Sequence, residues 1–283
     1  ERARPQLTVR REEPRPPEPH REERPRPRPD RTYEPPAPRG PREAPGNSLW
    51  IYGLHAVAAA LANPARHLRR LLLTEEGEAG IAARLPRPWA TGVERVDRGR
   101  LDHLLGAGAI HQGAALLVDP LPPPSLQSAV ARPGPILVLD QVSDPRNVGA
   151  ILRAAAAFGV AAVITQDRNA PEETGALAKA ASGALETVPF LRAVNISRTL
   201  VALRAAGFWV IGLDAGGTPL AGPALAQRRV ALVLGSEGEG LRRLTRETCD
   251  EIAAIAMPGR NELLDSLNVS TAAAIALYEL ARR

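Results

Sequence analysis

Residues 230–283 read VALVLGSEGEGLRRLTRETCDEIAAIAMPGRNELLDSLNVSTAAAIALYELARR, and the rest of the chain is arranged around them. Two short apolar runs, Val230–Leu234 and Ile252–Met257, are each followed by a loop rich in Gly and polar residues. Apolar runs bounded by turn signals predict buried strands, and Leu267–Leu280 predicts a helix that is apolar almost all round. Two such strands releasing glycine loops side by side place many backbone N–H and C=O groups around one cavity. That arrangement suits a small ligand gripped by main chain rather than by charged side chains.

Upstream, from Ile136, strand and helix patterns alternate. Ile136–Asp140 is a continuous apolar run of the kind a central parallel strand needs. Asp144-Pro145 supplies an N-cap and a favoured first-turn proline for a helix to about Phe158, which Gly159 ends. A strand at Ala161–Thr165, a helix over roughly Glu172–Ser182 and a strand at Thr187–Phe190 follow. Asn195 then caps a helix ending at Gly207, and Phe208–Leu213 is the next strand. The alternation predicts an α/β fold, a parallel sheet covered on both faces.

Residues 120–135 form a proline-rich linker, expected to be an extended, semi-rigid spacer. In front of it, residues 49–119 predict a small α/β unit. Its strands are Trp50–Tyr52, Leu68–Thr74, Gly92–Val96 and Ala114–Val118. Its helices are Leu54–Leu61, a stretch near Ala79–Arg84, and one capped by Asp97 running to Leu105. His111-Gln112-Gly113 reads equally as an RNA-contacting turn and as a plain hydrogen-bonded turn. Residues 1–46 alternate Pro, Arg and Glu with hardly a large apolar side chain, so they are expected to be disordered; the interleaved acidic residues favour a solvated tail over the alternative, a basic arm for nucleic acid.

A net charge of +5 favours an anionic partner, although with Lys179 the only lysine the arginine excess also fits coding bias. Aromatics at 3% argue against base stacking as the main mode of RNA contact. One cysteine, Cys249, excludes an intrachain disulfide and points to a reducing, cytoplasmic setting. No apolar run reaches membrane-spanning length. The chain opens on Glu1 rather than Met, which leaves room for residues before it.

Three constellations bear on chemistry. In Asp144–Arg153, Gly149 and Arg153 are four apart on one helix face, so Arg153 is expected to extend over the glycine toward the helix N-terminus, an anion site. An arginine satisfying an internal carboxylate is the equal alternative. In Gly235-Ser236-Glu237-Gly238-Glu239-Gly240 the spacing is not that of a dinucleotide fingerprint, and two carboxylates would repel a pyrophosphate. They suit a cationic ligand, or the loop is simply a solvated glycine turn. In Asp265–Ser270, Ser266 or Asp265 is the expected helix cap, while Asn268 and Ser270 are polar groups in an apolar run and need partners. All five histidines precede the linker, so the C-terminal half has no imidazole base, no histidine-based metal site and no Ser-His-Asp triad.

Together LDQVSDPRNVGAILRAAAAFGV, VLGSEGEGLRRLTRETCDEIAAIAM and SLNVSTAAAIALYE closely resemble the SpoU (TrmH-like) branch of the SPOUT RNA methyltransferases. IYGLHAVAAAL and HQGAAL are similar to the substrate-binding unit many members carry in front. The resemblance covers Leu49 to the C-terminus and is nearest to members that methylate a guanosine 2′-hydroxyl of 23S ribosomal RNA. It implies an L30e-like RNA-binding domain at 49–119 and a trefoil-knotted methyltransferase domain at 136–283. It also implies S-adenosylmethionine as cofactor, no metal, and a homodimer whose active site draws on both subunits. Gly235, Ile255, Met257, Leu267 and Ser270 match cofactor positions; Asn147, Arg153, Glu237 and Asn268 match catalytic ones. Residues 258–265 form a longer loop than the family's, a departure that bears on cofactor affinity. Transfer-RNA or antibiotic-resistance rRNA methylation, and an inactive RNA-binding protein that kept the fold, are the alternatives.

Overall fold

A computed structural model describes residues 48–106, 108–168, 170–259 and 266–282. The expected tail and most of the lengthened loop fall outside these residues. The front of the chain runs β1 (Leu49–Tyr52), α1 (Leu54–Ala62), β2 (Leu68–Leu73), α2 (Glu75–Ala82), β3 (Val93–Arg95), α3 (Arg98–Leu105) and β4 (Ala114–Val118). Its four strands form one sheet in the order β1-β4-β2-β3. Thr74 and Asp97 cap α2 and α3, each side chain accepting a first-turn backbone N–H. These local bonds satisfy donors that the helix itself leaves free, which is why capping residues are readable in advance.

The predicted spacer is extended only in its first half. Ser125 caps a short helix, α4 (Leu126–Val130), and Ala129 is fully buried in the neighbouring core. Local capping and the packing of Leu126, Ala129 and Val130 on that core override the polyproline tendency that the preceding prolines impose.

The remainder contains β5 (Ile136–Leu139), α5 (Pro145–Ala157), β6 (Ala162–Gln166), α6 (Gly175–Ala181), β7 (Phe190–Ala193), α7 (Ile196–Ala205), β8 (Phe208–Pro219), β9 (Arg229–Leu234), α8 (Arg243–Thr248), β10 (Glu251–Ala254) and α9 (Val269–Ala281). The six strands are all parallel, in the order β10-β8-β9-β5-β6-β7. Alternate side chains of a strand face opposite sides of a sheet. Accordingly Leu137 and Leu139 of β5, with Leu232 and Leu234 of β9, enter one core, while Ile136, Val138, Ala231 and Val233 enter the other. Helices cover both faces, so the strands read as unbroken apolar runs.

Several expected boundaries move: β8 runs on past Leu213 to Pro219, and the helix expected near Ala79–Arg84 spans Glu75–Ala82, where Thr74 caps it. The helix expected from Glu172 starts at Gly175, where Thr174 caps it. The strand expected at Thr187–Phe190 is Phe190–Ala193, because a 3₁₀ turn at Ala184–Glu186 uses the preceding residues and β7 takes its register from β6. The strand expected to reach Met257 stops at Ala254, leaving Ile255 and Met257 in the loop. Gly149 packs α5 against α6: a Cβ there would lie 2.5 Å from Ala180 Cβ and 2.8 Å from the Leu177 carbonyl oxygen. The bare face of Gly149 is therefore filled by α6 rather than spanned by Arg153.

Candidate active site

In an open parallel sheet, ligands bind outside the carboxyl ends of the strands where the winding reverses. Here that point lies between the neighbours β5 and β9, since the chain proceeds from β5 to β6 and β7 on one side and fills β8, β9 and β10 on the other. The loop after β5 leads to Asn147 on α5, the loop after β9 carries Glu237, and Asn268 opens α9.

These three side chains meet. Asn147 Nδ2 donates to Glu237 Oε1 at 2.8 Å, and Asn268 Nδ2 donates to the same oxygen at 2.7 Å. Asn268 Nδ2 also lies 3.1 Å from Asn147 Oδ1, and the Val269 N–H reaches Glu237 Oε1 at 3.4 Å. The other end of the Asn268 amide caps α9, its Oδ1 accepting from the N–H groups of Ser270 at 3.0 Å and Thr271 at 3.3 Å. The cap expected from Ser266 or Asp265 is thus Asn268 itself; Asp265 lies outside the described residues. A flipped amide would point its NH₂ at two backbone donors, so the cap sets which end of Asn268 faces Glu237. Ser270 Oγ also donates to Asn268 Oδ1, at 2.5 Å.

The Glu237 loop is held from both ends. Ser236 and Gly240 exchange backbone hydrogen bonds at 3.1 Å, closing a narrow turn. A Cβ on Gly235 would collide with the Gly240 carbonyl, so only glycine permits this approach. Just past the turn, Arg242 Nε and Nη2 donate to Asp140 Oδ1 at 2.7 and 2.6 Å. Asp140 closes β5 with no solvent exposure, and its backbone N–H bonds the Leu234 carbonyl of β9. This pair was missed in the sequence, where a lone Asp ending the apolar run ILVLD is the only trace of it.

Arg153 stands apart. It is exposed and forms no hydrogen bond or ion pair with any described residue. It is six positions beyond Asn147, hence on a different face of α5. Of the residues matching cofactor positions, Gly235, Ile255, Met257 and Leu267 are half-buried in the loops after β9 and β10 and before α9, with Ser270 in the first turn of α9. These loops leave one edge of the sheet, where backbone groups and apolar side chains lie together. That donor set fits a nucleoside cofactor held by main chain.

Two other features lie away from this edge. His111 is buried, its Nδ1 accepting the Gly113 N–H at 3.1 Å and its Nε2 lying 3.0 Å from Asp102 Oδ1, so the His111-Gln112-Gly113 segment is a hydrogen-bonded turn before β4. A cleft of about 1200 Å³ runs along the seam between the two sheets, lined by Trp50, Asn63, Glu173, Phe190 and Arg192 among others. None of the Asn147, Glu237 or Asn268 side chains enters it, so volume alone does not locate the chemistry.

Residues 134–278 match the SpoU rRNA methylase family, and residues 50–124 match the RNA 2′-O ribose methyltransferase substrate-binding family. The chain is 40% identical over 243 residues to the 23S rRNA (guanosine-2′-O-)-methyltransferase RlmB of Vibrio vulnificus, covering 83% of this chain and 96% of that one. It is 38% identical over 240 residues to the RlmB of Coxiella burnetii, covering 82% and 95%. In fold it is similar to the SpoU methyltransferase AviRb from Streptomyces viridochromogenes, solved with AdoMet, at a TM-score of 0.67 and 23% identity, covering 83% of this chain and 90% of that one.

Proposed function

The chain belongs to the SpoU rRNA methylase family, and from that premise we propose that it methylates a ribose 2′-hydroxyl of RNA, that of a guanosine in 23S ribosomal RNA, with S-adenosylmethionine as donor. The observation that carries this reading is the meeting of Asn147, Glu237 and Asn268 at the sheet's winding reversal. Gly235, Ile255, Met257, Leu267 and Ser270 would hold the cofactor, which supplies an electrophilic methyl on a sulfonium sulfur. The knot expected of the family would be tied by the loops around these residues. The reading keeps residues 49–119 as the RNA-binding unit and 136–283 as the methyltransferase unit, working in the cytoplasm where ribosomal RNA is made.

A ribose hydroxyl is a weak nucleophile and loses its proton as the new bond forms, so orientation and charge stabilisation must supply the rate. Glu237 Oε1 is engaged by both asparagines; among the described residues no bond reaches its Oε2, which is left to accept the hydrogen bond of the ribose hydroxyl and to take its proton as the new bond forms. Asn147 orients that carboxylate and Asn268 ties it to the start of α9. A guanidinium keeps its proton near neutrality. Arg153 therefore clamps the adjoining phosphate and stabilises the developing alkoxide.

Since Arg153 stands off the cluster within one chain, the site is completed by the arginine of a second copy in a homodimer. An apolar strip favours that partner: Ile275 and Tyr278 of α9 are 39% and 58% exposed, and Tyr278 packs edge-on against Phe158 of α5 at 6.5 Å.

Incubation with labelled S-adenosylmethionine and 23S rRNA, followed by mapping of 2′-O-methyl positions by reverse transcription, tests the reading. One methylated guanosine is the expected result. Absence of transfer together with absence of cofactor binding by calorimetry would overturn it.

A further inference from the structure

Arg66, between α1 and β2, carries a side chain with no solvent exposure, and its charge is answered by residues flanking α6. Its Nη2 donates to Glu186 Oε1 at 2.7 Å, its Nε to Glu186 Oε2 at 3.1 Å, and its Nη1 to Glu173 Oε1 at 2.8 Å. Asn63 Nδ2 adds a bond to Glu186 Oε2 at 2.7 Å, and Arg66 Nη1 also bonds the Asp119 carbonyl at 3.0 Å. One front-unit guanidinium is thus held by two carboxylates, one just before α6 and one just after it. Burial pushes the Glu173 carboxyl above its usual range, opposed by Arg66.

The front unit also packs closely onto the bare glycines near the two ends of α6. A Cβ on Gly175 would lie 2.5 Å from the Tyr52 ring, and one on Gly183 would lie 2.8 Å from Ala59 Cβ. Lys179 of α6 donates to Gln112 in the turn before β4. On its other side α6 packs against α5 through Gly149, and α5 carries Asn147. Contacts therefore run without a gap from the front sheet through α6 and α5 to the candidate active site. A buried ion pair adds little net stability, because both partners regain water when it opens, but its fork geometry admits only one orientation.

We infer that Arg66, clasped by Glu173 and Glu186, is a positioning residue for methyl transfer. It locks the front unit in a single orientation, so that RNA held there is presented at a set distance from Asn147, Glu237 and Asn268. The partner is a folded RNA offering two features a fixed distance apart, one for each unit. This rests on the RNA methyltransferase reading above.

The test compares the full chain with Arg66→Leu and Glu186→Gln on two RNAs: a large 23S rRNA fragment and a short hairpin around the methylated nucleotide. The wild type should prefer the fragment in kcat/KM. Both variants should lose about tenfold or more of that preference, with hairpin turnover and cofactor affinity unchanged. X-ray scattering should show a larger radius of gyration for the variants. An unchanged preference or an unchanged radius overturns the clasp. If the wild type methylates neither RNA, the methyltransferase reading fails instead, and scattering alone decides the clasp. If Arg66→Leu does not fold, Glu186→Gln, which keeps the side chain's shape, carries the comparison.

Discussion

Asn268 and Glu237 stand 31 residues apart and meet at 2.7 Å, the asparagine amide donating to the carboxylate while its own oxygen caps α9. One side chain thus performs two separable tasks. Asn268→Asp keeps the capping oxygen but sets a second carboxylate against Glu237. Stability should stay within about 1 kcal/mol, the usual scale of a cap. Loss of a hydrogen bond to a charged group is worth roughly 1.5–3 kcal/mol, so methyl transfer should fall about tenfold to a hundredfold. Thermal melts alongside turnover separate the two effects; wild-type turnover in Asn268→Asp would remove Asn268 from the site.

Arg153 is exposed and bonds no described neighbour. Its replacement by alanine should change stability by less than about 0.5 kcal/mol. If it holds the phosphate and the developing charge, methyl transfer should drop roughly a hundredfold or more while cofactor binding is nearly intact. Calorimetry and single-turnover rates check this, and equal loss of binding and rate would contradict the assignment.

Gly149→Ala places a methyl 2.5 Å from Ala180 Cβ and 2.9 Å from the Ala181 backbone nitrogen. One of the two helices must shift, at a cost of about 1–3 kcal/mol. A chemical-denaturation midpoint equal to wild type would show that the α5–α6 contact is looser than its geometry.

Burial pushes the Cys249 thiol up to about 12 from 9.0, with Asp250 and Asp140 adding to the shift. The folded state therefore holds this proton more tightly than the unfolded one. The resulting stability is complete below about pH 9 and is lost as pH rises toward about 12. Iodoacetamide at pH 8 should leave the folded protein unlabelled, and Cys249→Ser should flatten the alkaline part of the stability profile. Rapid labelling of the folded protein at pH 8 would contradict the shift.

Tyr278 and Ile275 expose apolar surface on α9. Tyr278→Glu should convert the expected dimer to monomer in sedimentation experiments. Since each site would then lack the second copy's Arg153, methyl transfer should fall with it; a wild type that sediments as a monomer would rule out this face as the interface.

Much of the fold was legible because its causes are local. Asp97, Asp144 and Asn195 cap the helices they were expected to cap, each accepting a backbone N–H two or three residues on. The runs Ile136–Leu139 and Val230–Leu234 announced central strands through uninterrupted burial. Where position depended on a distant neighbour, the reading slipped. β7 begins at Phe190 rather than Thr187 because β6 sets its register. The Pro-rich linker turns helical at Leu126–Val130 because Ala129 finds a core.

By itself, then, the sequence determined which segments become strands and helices, where most of the helices begin, and which motifs mark the candidate site. Only the tertiary structure decided that Asn147, Glu237 and Asn268 share one carboxylate oxygen, that Arg153 stands outside their cluster, and that Arg66 finds Glu173 and Glu186 at separations of 107 and 120 residues. Capping and side-chain alternation act over a few residues and leave a readable pattern. The meeting of distant polar groups follows from how a parallel sheet winds and how closely glycine lets its helices approach, and no short window of residues records that.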